Sequence, residues 1–264
     1  MQIGATVARR LFAFLGPSGT VFLRVAFGAL ILLAIARPRR ARFGTEQARA
    51  IVLFGLIVAG MNLCFYQAIA RIPLGIAVTI EFLGPLGVAI VGSRKPLDFV
   101  WAAMAAVGVA MLSFTSGAVT PAGVLFALGA AVGWAAYIVL SQRVGRLVPG
   151  PDGLAFALTV GGLALLPFGV AEAGTHLLDL HNLGLGLVVA ILSSAIPFSL
   201  EFAALRRLSS QVFGILMSLE PAMGAAAGFV LLGQRLSARD VLAIGLVMIA
   251  SAGATLTAPR RSTV

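Results

Sequence analysis

The sequence predicts an all-α polytopic membrane protein made of two inverted halves, and three observations predict it. Of its 264 residues, 60% are hydrophobic and only 11% charged, with a mean hydropathy of +1.05, whereas soluble domains hold about 45 to 50% apolar residues. Apolar stretches of roughly 20 residues, the length that crosses a bilayer, recur along the whole chain with connections too short to fold as a soluble module. The second half then repeats the proline and glycine spacing of the first. Lipid offers no partner for backbone N–H and C=O groups, so long apolar runs without strict alternation form helices and not a barrel.

Apolar runs punctuated by Gly, Pro and charge place the elements in order. A fragment at residues 1–12 is too short to cross. Spans follow near 17–36, ended by Arg37, Arg39, Arg40 and Arg42, and near 50–70, ended by Arg71. The next pair, 73–92 and 98–116, is separated by Arg94 and Lys95, and the span at 120–141 runs into Arg143 and Arg146. Spans at 153–171 and 183–204 precede Arg206 and Arg207; those at 210–232 and 240–257 flank Arg235 and Arg239. That makes nine spans and a fragment.

Placing the C-terminus in the cytoplasm puts thirteen basic residues on the inner side: Arg37, Arg39, Arg40, Arg42, Arg49, Arg94, Lys95, Arg143, Arg146, Arg206, Arg207, Arg260 and Arg261. Five remain outside: Arg9, Arg10, Arg71, Arg235 and Arg239. The imbalance sets the orientation by the positive-inside rule. It also accounts for the net charge of +10, so a nucleic-acid partner is not expected. Cys64 is the only cysteine, which excludes an internal disulfide and a cysteine metal centre. Met1 to Leu15 has no basic, apolar and small-residue succession of a secretory signal.

A shift of 136 residues lays Tyr66–Pro85 on Phe202–Pro221 without a gap, matching Ala68 with Ala204, Arg71 with Arg207 and Pro85 with Pro221. A shift of 134 matches Pro17, Gly19 and Gly28 with Pro151, Gly153 and Gly162. Halves with an odd number of helices enter the membrane from opposite sides, a frequent transporter plan with its site at the midplane. The expected units are 1–116 and 117–264. Carried back, the repeat leaves about a dozen residues of the first helix without a counterpart, so that helix is expected to be truncated.

Ionisable side chains at the centre of a span cost about 2.5 to 3.5 kcal/mol by the lower estimates, which makes them functional candidates. Glu81 and Glu220 lie near the middle of their spans, and under the 136 shift Glu81 meets Met217, one turn from Glu220. Pro85 removes the hydrogen bond to the Glu81 carbonyl, and Pro221 does the same at Met217. Such freed carbonyls are tolerated where they line a cavity. Arg24 is the one basic residue well inside a span. A zwitterion needs a cation for its carboxylate and an anion for its ammonium, and Arg24 with Glu81 or Glu220 supplies both; the plainer alternative is a helix-orienting ion pair. An acid in such a cavity can carry a proton inward in exchange for substrate.

Other polar groups are weaker candidates. Glu201 with Arg206 reads as an interfacial pair. Asn62, Tyr66, Gln67, Ser193, Ser194 and Ser199 could line a cavity, but amides and hydroxyls also bond between membrane helices. Asn62, Tyr66 and Ser218 are kept as substrate-contact candidates. Trp134 and Tyr137 could close over a substrate, although Tyr137 lies near the cytoplasmic end, where aromatic belts occur. Gly129-x-x-x-Gly133 and Gly224-x-x-x-Gly228 allow close helix approach within the chain. His176 and His181 lie in an acidic loop without the spacing of a metal site.

Five motifs in order resemble one family: PLGIAVTIEFLGP from Pro73 to Pro85, PLDFVW from Pro96 to Trp101, GWAAY from Gly133 to Tyr137, SSAIPFSLE from Ser193 to Glu201, and FGILMSLEPA from Phe213 to Ala222. Together they are similar to the drug/metabolite transporter superfamily of EamA type, and within it to the threonine and homoserine exporters of the inner membrane. The resemblance implies a ten-helix, five-plus-five inverted repeat that exports small amino acids, with the proton gradient as its energy source and no cofactor. Its partners would be the lipid bilayer and a small-molecule substrate. An enzyme is not expected, since the chain has no G-x-S-x-G, H-E-x-x-H, P-loop or C-x-x-C motif. An exporter of drugs or other metabolites is the closest alternative, and a non-transporting scaffold the next.

Overall fold

The computed structural model describes residues 1–37, 43–93, 96–113, 119–148, 151–197 and 216–257. Among them there is no strand. Helix α1 (Gln2–Ala36) is broken at Gly16, whose φ of 64° and ψ of 173° lie outside the helical region. Glycine adopts this backbone without a Cβ penalty, and Pro17 behind it cannot continue the hydrogen-bond ladder. The expected fragment and the expected span at 17–36 are thus the two arms of one bent helix.

Helices α2 (Thr45–Arg71), α5 (Pro96–Ser113), α6 (Pro121–Leu147) and α7 (Asp152–Ala173) fall close to expectation. The span expected at 73–92 is divided into α3 (Leu74–Glu81) and α4 (Leu83–Ser93), with a turn at Phe82. The span expected at 210–232 is interrupted in the same way: a turn at Ser218 and Leu219 precedes α9 (Glu220–Leu232). In both, the break falls within four residues of a proline, as a missing N–H and a ring clash require. Helix α8 (Leu180–Ala190) starts at Asp179, whose side chain accepts from the His181 and Asn182 amides, and ends in a π-helical segment, Ile191–Ala195. Helix α10 (Ala238–Thr257) closes the described chain.

Five of these segments are long and apolar enough to cross a membrane: Gln2–Ala36, Thr45–Arg71, Pro121–Leu147, Asp152–Leu178 and Ala238–Thr257. The nine uninterrupted spans of the sequence reading are corrected at two of them, 73–92 and 210–232, which are broken at Phe82 and at Ser218 and Leu219; the ends of those expected at 98–116 and 183–204 lie outside the described residues. The Glu201–Arg206 pair, Ser199, and Arg39, Arg40, Arg42, Arg94, Lys95, Arg207, Arg260 and Arg261 lie outside the described residues.

Lipid is as apolar as leucine, so these helices hold together by close packing. Helix α1 packs on α7 and α8, α2 on α6 and α7, α3 on α6 and α9, and α5 on α10. A Cβ on Gly133 of α6 would come within 2.8 Å of the Met61 Cβ of α2, so only glycine permits that approach. Large apolar side chains such as Phe99, Val132 and Val230 are exposed at 77%, 72% and 73%. A surface of that kind is unsuitable for water and suited to lipid.

Candidate functional site

Between the helices lies a cavity of about 410 Å³ whose lining includes Arg24, Asn62, Tyr66, Glu81 and Glu220. Helix α1 contributes Arg24, α2 contributes Asn62 and Tyr66, and the two interrupted helices contribute the acids. Glu81 is the last residue of α3, and Glu220 the first of α9. The breaks thus set both carboxylates at helix ends, where backbone groups lack partners within the helix.

Arg24 is held from two sides. Its Nη1 donates to Asn62 Oδ1 at 2.6 Å, and its guanidinium carbon stands 5.5 Å from the centroid of the Tyr66 ring, within cation–π range. Asn62 in turn donates through Nδ2 to the Val58 carbonyl at 2.8 Å, which fixes its oxygen toward Arg24. The Tyr66 ring is buried. Its hydroxyl meets no partner at hydrogen-bonding geometry, although it lies within electrostatic reach of Arg24. Glu81 is within electrostatic reach of both Arg24 and Glu220.

The arginine hydrogen-bonds the neutral Asn62 with Glu81 within its electrostatic reach, while Arg143 and Glu46 form an ion pair at 3.2 Å that is exposed and worth about 0 to 1 kcal/mol. Five N–H donors on one guanidinium leave several for an anion after Asn62 has taken one.

The structure brings Pro85 to the cavity wall, while Pro221 is buried outside the lining. Ser218 is also buried outside the lining and donates from Oγ to Ser251 Oγ at 3.1 Å. Trp134 and Tyr137 both line the cavity; Trp134 packs edge-on against Phe82 with centroids 5.6 Å apart, and Tyr137 lies against Phe54 at 5.2 Å. Gln67 sits away from the lining and donates to Ser18 Oγ at 3.0 Å. Ser193 lines the cavity from the π-helical segment, a distortion often found at functional sites.

Three contributors escaped the sequence reading. Ser251 and Thr255 of α10 line the cavity; their spacing of four puts them on one face, but isolated hydroxyls in a membrane helix carry little signal. Glu172 of α7 accepts from the Ser18 amide at 2.6 Å, capping the second arm of α1. The Gly16-Pro17 break was the available signal, since a helix start needs acceptors for its free N–H groups.

A model of the EamA-like transporter family matches residues 121–256. The threonine/homoserine exporter RhtA of Escherichia coli (strain K12) is 43% identical over 265 residues, covering 99% of this chain and 90% of its own. The protein of the same name from Salmonella typhimurium (strain LT2) is 43% identical over 263 residues, with 98% and 89% covered. Protein PecM of Dickeya dadantii is 29% identical over 218 residues, covering 77% of this chain and 71% of PecM. A solved structure described as "Crystal structure of protein" superposes with a TM-score of 0.59 at 21% identity, covering 99% of this chain and 97% of the other; at that identity it speaks for the fold alone. An all-helical membrane chain with charged groups gathered round one internal cavity, matched by a family model over half its length and 43% identical to exporters along nearly all of it, belongs to the EamA-like transporter family.

Proposed function

We propose that this protein exports small, threonine- or homoserine-like amino acids across the bacterial inner membrane by alternating access, driven by the proton gradient. One observation carries the reading: Arg24, Glu81 and Glu220 line a single cavity of about 410 Å³. That volume lies in the range of small-molecule sites, about 300 to 1,000 Å³. Arg24, oriented by Asn62, offers its remaining donors to the substrate carboxylate, and one glutamate accepts from the ammonium. The second glutamate is then available to carry a proton in the opposite direction. Charges of both signs in the cavity match a zwitterion, whereas an uncharged solute would leave them unpaired.

The architecture proposed is five plus five helices in inverted repeat, with halves at 1–116 and 117–264 and the C-terminus cytoplasmic. Helix packing supports it. Under the repeat, the arms of α1 correspond to α6 and α7, α2 to α8, α3 and α4 to the stretch ending in α9, and α5 to α10. The contacts of α2 with α6 and α7 then have their counterparts in the contacts of α8 and the π-helical segment with α1. The contact of α3 with α6 is matched by that of α9 with α1. Pairs α1–α7, α3–α9 and α5–α10 exchange into themselves. The turns at Phe82 and Ser218 also coincide at the 136 shift.

A second reading is favoured by the aromatic lining of Phe65, Tyr66, Phe82, Trp134 and Tyr137, which suits a flat apolar metabolite or drug. Both are tested with the full chain in proteoliposomes by following labelled threonine, homoserine and an aromatic cation under an imposed pH gradient. Export of the amino acids that collapses in Glu81→Gln and Glu220→Gln is expected. Full gradient-driven transport by both variants would end the coupling proposal, and transport of the aromatic cation alone would favour the second reading.

A further inference from the structure

The cavity carries a second polar cluster, on the wall made by α10. Ser251 and Thr255 line the cavity there, and Ser218 donates to Ser251 Oγ from the break before α9. Ser218 and Ser251 are 2% and 5% exposed. Thr255 commits its proton to the Ser251 carbonyl at 2.9 Å. A serine hydroxyl has one donor and two acceptor positions, and the Ser218 contact occupies one acceptor position of Ser251. Its O–H and a second lone pair remain for another group.

This cluster shares the cavity with Arg24 but sits on other helices. Helix α10 packs on α3, α4, α5 and α9, whereas Arg24 and Asn62 sit on α1 and α2, whose neighbours include α6, α7 and α8. Glu220 is two residues from Ser218, and Glu81 is within electrostatic reach of Glu220 and Arg24. For a zwitterion held by its carboxylate at Arg24 and by its ammonium at the glutamates, the α10 wall belongs to the same cavity and is open to the third substituent.

We propose that Ser251, held by Ser218, is the subsite that recognises the side-chain hydroxyl of the substrate and so sets the preference for hydroxy amino acids. The proposal rests on the amino-acid export reading. Valine has the shape of threonine with a methyl group in place of the hydroxyl. An apolar wall discriminates poorly between such isosteres, but a wall with a buried hydroxyl rejects the one that leaves it without a partner. Serine also donates and accepts, so it serves threonine and the longer homoserine with a small rotation about one bond.

The test uses the full chain in proteoliposomes transporting labelled threonine, with unlabelled threonine, valine, homoserine and 2-aminobutyrate as competitors. Wild-type protein is expected to prefer threonine over its methyl isostere valine, and homoserine over 2-aminobutyrate, by about tenfold or more. In Ser251→Ala the two ratios fall toward one. Ser251→Cys keeps the side-chain size with a weak hydrogen-bonding group and is expected to fall likewise, which preserves the test if the alanine variant fails to fold. Wild-type transport with ratios near one, or unchanged ratios in Ser251→Cys, would overturn this subsite and leave amino-acid export standing. Absence of any amino-acid transport by wild-type protein would remove both.

Discussion

Arg24 is the side chain that lipid tolerates least, at about 2.5 to 3.5 kcal/mol even by insertion scales. The structure offsets this with an amide oxygen at 2.6 Å and an aromatic face at 5.5 Å, while opening the guanidinium to a cavity. Asn62 is thus a positioning residue for Arg24. Replacing it with alanine is expected to raise the KM for threonine about tenfold, equivalent to roughly 1.4 kcal/mol, with little loss of kcat; thermal unfolding in detergent should change modestly, since interhelical hydrogen bonds average about 0.6 kcal/mol. Asn62→Asp should be worse for transport, because a carboxylate would occupy Arg24 in place of the proposed substrate carboxylate. Equal transport kinetics in all three proteins would show that Asn62 does not orient the site. Arg24, Glu81 and Glu220 were legible in sequence because a charge in an apolar run stands out. The Arg24–Asn62 bond was not, as it joins residues 38 apart whose depths match only once α1 and α2 are packed.

At the scale of elements, two interrupted helices shape the cavity. Pro85 and Pro221 were visible, and with them the region of each break; the shortening of the helices was not, because hydropathy runs straight through Phe82 and Ser218. The same blindness makes continuous spans of two stretches that are broken at Phe82 and at Ser218 and Leu219. Composition reports solubility in lipid, while backbone continuity depends on single residues and on the neighbours that satisfy the freed groups. Pro85→Ala restores an N–H and a regular ladder to the α3–α4 stretch. Its expected effect is an unchanged or higher Tm in detergent together with a several-fold lower rate of threonine transport. A lower Tm with full transport would indicate that the break serves packing alone. The glycine motifs approach neighbours within the chain: Gly133 meets Met61, and Gly224 meets Val78 of α3.

The whole molecule meets two requirements, an apolar exterior and a cavity lined with charged groups. The exterior was the more legible, because it is a matter of bulk composition and of the distribution of Arg and Lys. That distribution predicts a topology open to direct measurement. In a Cys64→Ser background, Leu178→Cys, exposed at 78% after α7, should react with a membrane-impermeant thiol reagent in intact spheroplasts, and Ser262→Cys only after lysis. The reverse pattern would invert the orientation. The cavity was legible only in part: sequence marked the charges expected at its centre, whereas the α10 wall with Ser251 and Thr255 emerged from packing between α4, α5, α9 and α10.

The central claim is that these charges surround a substrate-accessible site, and Met61, which lines the same cavity, offers the most direct probe. In Met61→Cys, Cys64→Ser protein in native membranes, a small hydrophilic thiol reagent is expected to label Cys at position 61, and saturating threonine to slow that labelling several-fold. A site that stays unlabelled from both sides, or labels at the same rate with threonine present, would contradict the account.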